Sequence, residues 1–515
     1  MKLNKIAVAG MMLVAGSSFA AVTCDKSTPA NFVNTCSPGV TFFVAGSSAL
    51  GGAISKVITA SAVTGAKGYF DTTLVPLISV VDTGTANGIS VVNTTNDGKA
   101  GNGTSAWYGM SRAELTGGVS VPLLVVYNSY MGSAAGVSNV MAKDLTKVPE
   151  ADVVTVGPVA GVANTCAVVT AAITIAGTTS TVAAATNKVA CSTHAVTRAD
   201  VAISDVDASE LVGLYSTASE GVALSKLVRT PLAMQGFAVA VNNNFYNALQ
   251  AAQFGATCAA GTYTEACQPS ISRVQYASLV TKEGKIKSAA GFIPGDTTPL
   301  ILARRDQLSG TQATSNIYFA SEVCNALDAK SKVNSHGGAL TVMRKADATT
   351  YAPGLVVNEN VQTGDVETDL KNNGTSAAPV YSIGVIALSK GASTSYKFVK
   401  LDGKSPNFAK GGTTPLSGAN LRNNMINGSW DLQMTAYAIY NSAHSTYNAK
   451  KGILNSNLIK QMVADLSDSS LHDLEAIGYF NGTEGVKKTS FMKVASNGTA
   501  APVINNCAPL IAYTK

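Results

Sequence analysis

Residues 302–311, Leu-Ala-Arg-Arg-Asp-Gln-Leu-Ser-Gly-Thr, are the stretch on which the interpretation of the fold depends. They place two guanidinium groups just before a turn of small residues, and residues 312–319 are typical of the first turns of a helix. The start of a helix leaves backbone N–H groups unpaired at the positive end of its dipole. The pattern therefore predicts an oxyanion site. Its candidate residues are Arg304, Arg305, Ser309, Gly310 and Thr311.

Three other segments repeat the order of apolar strand and small-residue turn. Strands and helices of any α/β protein are connected in this way, so each segment alone indicates only a fold class. Their occurrence together with the double-arginine turn favours several anion-directed turns that meet. The segments and their candidate residues are 41–60 with Ser47 and Ser48, 123–142 with Ser133, and 200–205 with Asp205.

The N-terminus is typical of a secretory signal peptide. A short basic stretch precedes the apolar residues 6–14, and Ser-Phe-Ala at 18–20 predicts cleavage after Ala20. The apolar run is too short to span a bilayer, and no later segment resembles a transmembrane helix. We therefore expect a periplasmic or extracellular protein whose mature chain has no integral membrane segment.

The composition argues against several classes of function. The 515 residues carry a formal charge of +6, which is too modest to predict nucleic-acid binding. Patterns of the Cys-x-x-Cys and His-Glu-x-x-His type are absent and the four histidines are scattered, so we expect no metal ion and no cofactor. A Gly-x-Ser-x-Gly elbow is absent as well, and we expect no enzyme activity.

The eight cysteines of an exported chain predict disulfides. Two pairs are close in sequence. A third lies symmetrically about Thr178 and Thr179, where a hairpin would bring both sulfur atoms together at its open end. The fourth follows by elimination. The expected pairs are Cys24–Cys36, Cys258–Cys267, Cys166–Cys191 and Cys324–Cys507.

The order of these segments resembles the periplasmic phosphate-binding protein of the high-affinity phosphate ABC importer, which has a type 2 periplasmic-binding fold. Residues 304–311 align without a gap on that family's Arg-Arg-Ala-Asp-Gly-Ser-Gly-Thr motif. Residues 231–242 are similar to its crossover strand, which runs from a proline to Leu-Ala-Val-Asn. The other matches follow in the family's order at residues 44–50, 132–137, 200–205 and 381–385.

The resemblance implies an α/β protein with a two-lobed, type 2 periplasmic-binding-protein-like fold, two crossover strands and β-rich insertions. The ligand would lie in the cleft between the lobes, which would close by hinge motion near Gly236 and Gly384. The expected parts are lobe one, residues 41–236 and 385–515 with insertions near 51–120 and 143–198, and lobe two, residues 237–384.

The expected chemistry is the selection of a tetrahedral anion. Helix starts at Ser48, Ser133 and Gly310 would direct N–H groups at it. Arg305 would bind two of its oxygen atoms, while Arg304 would point outward or support the structure.

Asp205 is expected to be the residue that discriminates between anions, and the substitution at position 307 is expected to affect the margin. Asp205 can only accept hydrogen bonds, so it would favour a protonated phosphate oxygen and repel sulfate. The alternative is that Asp205 caps a helix that starts near Val206. The family's aspartate that holds and partly neutralises the binding arginine falls on Gln307 in this chain. The pocket would then carry about one more positive charge unless Asp306 turns inward.

Two functions remain open at this point. The first is a solute receptor that binds inorganic phosphate, or another tetrahedral oxyanion, and delivers it to an ABC permease. The alternative is a secreted or surface-associated structural or adhesive protein that reuses the fold, which the low charge and the Thr/Ala/Gly-rich insertions favour.

Overall fold

The structure is a computed structural model. It describes residues 24–60, 68–82, 104–129, 132–142, 198–211, 224–322, 340–441 and 449–468. It also describes shorter segments at 85–86, 89–90, 152–154, 166–174, 181–182, 184–191, 194–196, 471, 475–476, 490–495, 503–504, 506–507 and 510–513. The predicted signal peptide and its cleavage site at Ala20 lie outside these residues.

The β-strands of the described residues are numbered in chain order. They are β1 (Val40–Gly46), β2 (Ile78–Asp82), β3 (Thr85–Ala86), β4 (Ile89–Ser90), β5 (Thr104–Met110), β6 (Pro122–Asn128), β7 (Asp152–Val154), β8 (Ala167–Val169), β9 (Ile173–Thr174), β10 (Thr181–Val182), β11 (Ala185–Cys191), β12 (His194–Val196), β13 (Val201–Ser204), β14 (Leu227–Asn242), β15 (Ser270–Ile271), β16 (Leu300–Arg305), β17 (Leu355–Asn360), β18 (Tyr381–Ala387), β19 (Tyr396–Phe398), β20 (Lys400–Leu401), β21 (Gln433–Asn441), β22 (Glu475–Ala476), β23 (Ser490–Ala495), β24 (Val503–Ile504) and β25 (Leu510–Tyr513).

The α-helices follow the same rule. They are α1 (Pro29–Thr35), α2 (Gly51–Ile58), α3 (Ser133–Met141), α4 (Asn243–Phe254), α5 (Arg273–Val280), α6 (Gly310–Ser315), α7 (Ala348–Tyr351), α8 (Thr363–Lys371), α9 (Asn423–Ile426) and α10 (Ala449–Leu466). A π-helical turn, Asn316–Ala320, continues α6.

Most of the long strands join one large mixed sheet, so the expected α/β class is confirmed. Its strand order is β17-β16-β18-β14-β21-β13-β1-β6-β5-β2-β11-β8, with β19 and β22 paired to β14 beside this path. We call β17-β16-β18 the second section of the sheet, and β21 through β8 the first section. Parallel pairing of β1 with β6 and β13, and of β16 with β17 and β18, places the carboxyl ends of these strands at common edges.

Strand β14 connects the two sections. Its residues up to Gly236 pair with β21, and its residues from Phe237 onward pair with β18 and β19. The crossover strand predicted at residues 231–242 is therefore present. Its second half is a continuous buried apolar run, as expected for a strand covered on both faces.

The first strand–turn–helix unit shows how local sequence determines the packing. Alternating apolar residues of β1, including Phe42 and Val44, are buried in a core that α2 and α10 cover. Helix α3, which is rich in small residues, packs against β1 and β13. A Cβ atom at Gly136 would lie 2.6 Å from the Cα atom of Gly46, so glycine is required for this close approach.

Three of the predicted disulfides are confirmed: Cys24–Cys36, Cys166–Cys191 and Cys258–Cys267. The hairpin argument is confirmed too, because β9 pairs with β10 and β8 with β11, both antiparallel, between the second pair of cysteines. Cys507 is disulfide-bonded, but its predicted partner Cys324 lies outside the described residues. No helix in the described part of the chain has the length and apolar character needed to cross a membrane.

Candidate functional site

Strand β16 ends in Arg305, whose guanidinium is buried, with the residue 2% exposed. Its Nε donates to the carbonyl oxygen of Asn360 at 3.1 Å, and its Nη2 donates to the carbonyl oxygen of Val361. Both acceptors lie where β17, the parallel neighbour of β16, reaches its carboxyl end. The side chain is therefore held at the edge of the second section of the sheet.

The Nη1 atom of Arg305 meets two hydroxyl groups. It donates to Thr363 Oγ1 at 2.9 Å and to Ser48 Oγ at 3.0 Å, and these two oxygen atoms are 3.2 Å apart. Ser48 follows β1 in the first section, and Thr363 begins α8 after β17 in the second. The arginine and the two hydroxyls thus join the carboxyl ends of strands from both sections.

The carboxylate of Asp205, which follows β13, is the second charged group of the site and is 1% exposed. The hydroxyl of Ser47 donates to its Oδ1, and the hydroxyl of Thr311 lies 3.4 Å from its Oδ2. Ser47 Oγ also accepts the N–H groups of Ala49 and Leu50, which fixes the turn before α2.

Burial raises the pKa of Asp205 to about 6, since removal from water disfavours the charged form. The hydrogen bond from Ser47, the charge of Arg305 and the hydrogen bonds from Thr311 act in the opposite direction. The carboxyl group therefore loses its proton at a higher pH than an exposed aspartate does.

Gly310 and Ser133 complete the packing around the carboxylate. A Cβ atom at Gly310 would lie 2.3 Å from Ser133 Oγ and 2.7 Å from Asp205 Oδ2, so a side chain at this position would displace both. Ser133 Oγ accepts the backbone N–H of Asp205 at 3.2 Å. The start of α3 is also tied to the double-arginine turn, because the N–H of Ala134 donates to the carbonyl oxygen of Leu308 at 2.8 Å.

Ser309 acts as the N-cap of α6, accepting the N–H of Gln312 at 3.4 Å. The side-chain oxygen of Gln312 in turn accepts the backbone N–H of Arg305 at 3.1 Å. The hydroxyl of Ser309 therefore helps to position the strand that carries the arginine.

Arg304 lies on the opposite face of β16, as alternation along a strand requires. Its Nε is 3.7 Å from Glu359 Oε1, and its Nη1 donates to the carbonyl oxygen of Met343. Arg344 also pairs with Glu359 and donates to Gln307 Oε1 at 2.6 Å. Burial lowers the pKa of Arg304 to about 10. Its contacts place this side chain in a polar network on what we call the back face of β16, and the side of Arg305 is the front face.

Gln307 therefore faces Arg344, whereas Asp306 is the acidic residue of this turn that acts on Arg305. The carboxylate of Asp306 accepts the N–H of Leu308 at 3.0 Å, which closes the turn. Burial raises its pKa to about 6, with the charge of Arg305 as the largest opposing influence.

The structure brings together most of the predicted site residues. Those that meet are Ser47, Ser48, Ser133, Asp205, Arg305, Ser309, Gly310 and Thr311, whereas Arg304 contacts the other network. The alternative reading of Asp205 as a helix cap is wrong. The cap of the turn Ala208–Glu210 is Asp207, which forms a capping box with Glu210.

Sequence reasoning missed the segment 360–363. Asn360, Val361 and Thr363 supply three acceptors to one guanidinium, yet two of them are backbone carbonyls that any residue type provides. The available signal was a strand followed directly by a Thr-Gly-Asp helix start. Among the described residues, no group of His, Cys, Asp or Glu side chains is arranged to hold a metal ion.

Comparisons with known proteins give distant structural likeness only. No family model matches the chain, and no curated protein matches it. One similar structure, from Clostridium perfringens, is assigned as a phosphate ABC transporter substrate-binding protein with bound phosphate. It is 13% identical with a TM-score of 0.38, and the match covers 85% of this chain and 99% of that one.

Two further similar structures are an ABC-type phosphate transport receptor from Vibrio cholerae and PstS from Borrelia burgdorferi. The first is 16% identical with a TM-score of 0.27, and the match covers 52% of this chain and 78% of that one. The second is 12% identical with a TM-score of 0.24, and the match covers 53% of this chain and 74% of that one. All three TM-scores are low.

Proposed function

We propose that this protein is an exported receptor that binds inorganic phosphate, or another tetrahedral oxyanion, between Arg305 and Asp205. The observation that carries the proposal is the meeting of these two buried charges with hydroxyl groups from both sections of the sheet. Ser47 and Thr311 contact the carboxylate, and Ser48 and Thr363 contact the guanidinium. Ligands of α/β proteins bind at such carboxyl edges of parallel strands.

The charges suit a protonated dianion. The guanidinium offers a planar set of N–H donors, which matches two oxygen atoms of a tetrahedral anion. Each hydroxyl can rotate its hydrogen toward an anion oxygen or toward a protein acceptor. Asp205, as a carboxylate, accepts a hydrogen bond from the protonated oxygen of HPO₄²⁻ but repels sulfate, which carries no proton at neutral pH.

The binding cleft is proposed to lie between a first lobe, residues 41–236 and 385–515, and a second, residues 237–384. The exchange of β14 from β21 to β18 at Gly236 supports a hinge there. Ser47, Ser48, Ser133 and Asp205 would come from the first lobe, and Arg305 and Thr311 from the second. Capture of the anion would then close the cleft, as in hinge-bending receptors.

The cellular role follows from this chemistry. The protein would act outside the inner membrane after removal of residues 1–20, would hand its ligand to an ABC permease, and would catalyse no reaction. In this site the hydroxyl of Ser47 donates to Asp205 and also accepts two backbone N–H groups, so it helps to fix the turn before α2, as suits a binding site.

Isothermal titration with phosphate, sulfate and arsenate tests the proposal. The protein is first exchanged extensively into phosphate-free buffer to remove carried-over ligand. We expect saturable heat with phosphate and with arsenate, which has the same shape and protonation, and weaker binding of sulfate. A flat phosphate trace on folded protein would contradict the proposal and favour the structural or adhesive alternative.

A further inference from the structure

We infer that Thr363 is a positioning residue of the oxyanion site, because its hydroxyl fixes the orientation of the Arg305 guanidinium. This inference rests on the proposed function and adds to it a residue that no motif of the sequence indicates. The acceptor atoms of residues 360–363 form what we call the arginine cradle: the carbonyl oxygens of Asn360 and Val361 and the hydroxyl of Thr363.

The arginine cradle holds the guanidinium through three different nitrogen atoms. Asn360 accepts from Nε, Val361 from Nη2 and Thr363 from Nη1, so the plane of the group is defined by contacts along its length. Two of the acceptors belong to the backbone and cannot be removed by substitution. Thr363 is therefore the acceptor of the cradle that a substitution can remove.

The cradle itself is held rigidly. Thr363 is 3% exposed and is the first residue of α8, whose Val366 and Leu370 are fully buried. The side-chain amide of Asn360 donates to Asp369 Oδ2 at 2.6 Å, which ties the end of β17 to the last turn of the same helix. A β-branched side chain at a packed helix start has few rotamers available, so the hydroxyl stays directed at Nη1.

Thr363 also links Arg305 to the other section of the sheet. Its Oγ1 lies 3.2 Å from Ser48 Oγ, and Ser48 Oγ accepts from the same Nη1 atom at 3.0 Å. An anion that binds both to the guanidinium and to the turn at Ser48 therefore also depends on the contact between Thr363 and Ser48. Loss of the hydroxyl leaves a buried N–H group of a charged side chain without one of its acceptors, which is costly.

The test compares Thr363→Val, which keeps the shape and removes the hydroxyl, with Thr363→Ser, which keeps the hydroxyl. Thr368→Val is the matched control, because its hydroxyl donates to the Gly364 carbonyl oxygen within the same helix and the residue is exposed. We expect phosphate binding at least about fivefold weaker for Thr363→Val, and within about twofold of wild type for the other two. Thr363→Ala should behave like the valine variant, and serves if that variant does not fold.

Circular dichroism and melting temperature confirm that each variant is folded before titration. Rescue by serine but not by valine supports the hydroxyl, because a purely packing role would favour valine. If Thr363→Val binds as wild type does while Arg305→Ala does not bind, the inference is overturned and the proposed function stands. If valine and serine weaken binding equally, the hydroxyl has no role and the inference is overturned. A flat phosphate trace for the wild type overturns both.

Discussion

Strand β16 carries two neighbouring arginines into different surroundings. On one face, Arg304 meets the carboxylate of Glu359, which a second arginine, Arg344, also approaches. On the other face, the hydrogen bonds described for Arg305 end on carbonyl and hydroxyl oxygens. The register of β16 with β17 accounts for the difference, because Arg304 pairs with Glu359 and Arg305 pairs with Asn360.

The difference between Arg304 and Arg305 indicates which of the two buried guanidinium groups is suited to bind a ligand. A guanidinium that shares a carboxylate has its charge matched within the fold, and its removal disturbs the structure. The hydrogen bonds described for Arg305 to carbonyl and hydroxyl oxygens fix its orientation beside the carboxylates of Asp205 and Asp306, at the edge where the proposed anion would bind. The back face of β16 is therefore expected to control stability, and the front face to control binding.

The largest effect should come from replacing each of the two arginines in turn by alanine. Arg305→Ala should weaken phosphate binding at least about thirtyfold, since loss of a buried charged partner costs about 2–5 kcal/mol. Arg304→Ala should change binding less than about threefold but lower the free energy of unfolding by about 3 kcal/mol. Titration and chemical denaturation of both variants check this. The comparison fails if Arg304→Ala abolishes binding and Arg305→Ala does not.

The second effect is the pH dependence of the free energy of unfolding that Asp205 contributes. The pKa of Asp205 in the folded protein, about 6, is above the unfolded value of about 3.9. The folded state then holds a proton that the unfolded state releases, so the contribution of this group to stability is present below pH 4 and lost as pH rises through 6.

Asp205→Asn removes this pH dependence. Without ligand, the variant should gain up to about 3 kcal/mol over wild type at pH 8, with the difference vanishing toward pH 4. Urea denaturation at several pH values measures it. A constant difference at all pH values would mean that Asp205 does not titrate in this range.

The same substitution should change selectivity on the front face. An amide can donate to sulfate, and the repulsion by a carboxylate is gone, so the ratio of phosphate to sulfate affinity should fall by about tenfold or reverse. Competition titrations with both anions give the ratio. An unchanged ratio would remove Asp205 from the selectivity argument while leaving Arg305 untouched.

The smallest effect should follow from Gln307→Asp, which restores the acidic residue found at this place in the resembling family. Because Gln307 contacts Arg344 on the back face, the new carboxylate should strengthen that network and change phosphate affinity by less than about twofold. A much larger change, measured by titration, would mean that position 307 acts on Arg305 and that the two faces are not separate.

The sequence was sufficient for features that local patterns determine. The apolar strand and hydroxyl turn at Ser47 and Ser48, the helix start at Ser133 and the hairpin closed by Cys166 and Cys191 are all present. The turns that carry Ser47 and Asp205 were expected to meet, but the direct contact between these two residues, 158 positions apart, was not predicted.

Features that depend on distant partners could not be read from the sequence. The partner of Gln307 is Arg344, 37 positions later, and nothing near either residue indicates the contact. Thr363 stands in an ordinary helix start, and two of the cradle's acceptors are backbone atoms. The capping box Asp207–Glu210 was readable as Asp-x-x-Glu and would have distinguished Asp205 from a cap.

The central claim is that the front face of β16 is the anion site, and a crystal structure of the protein grown with phosphate tests it most directly. We predict tetrahedral density within about 3 Å of the Arg305 guanidinium and of an Asp205 oxygen, with Arg304 still turned toward Glu359. Phosphate density on the back face beside Arg304 and Arg344, with none at Arg305, would contradict the account.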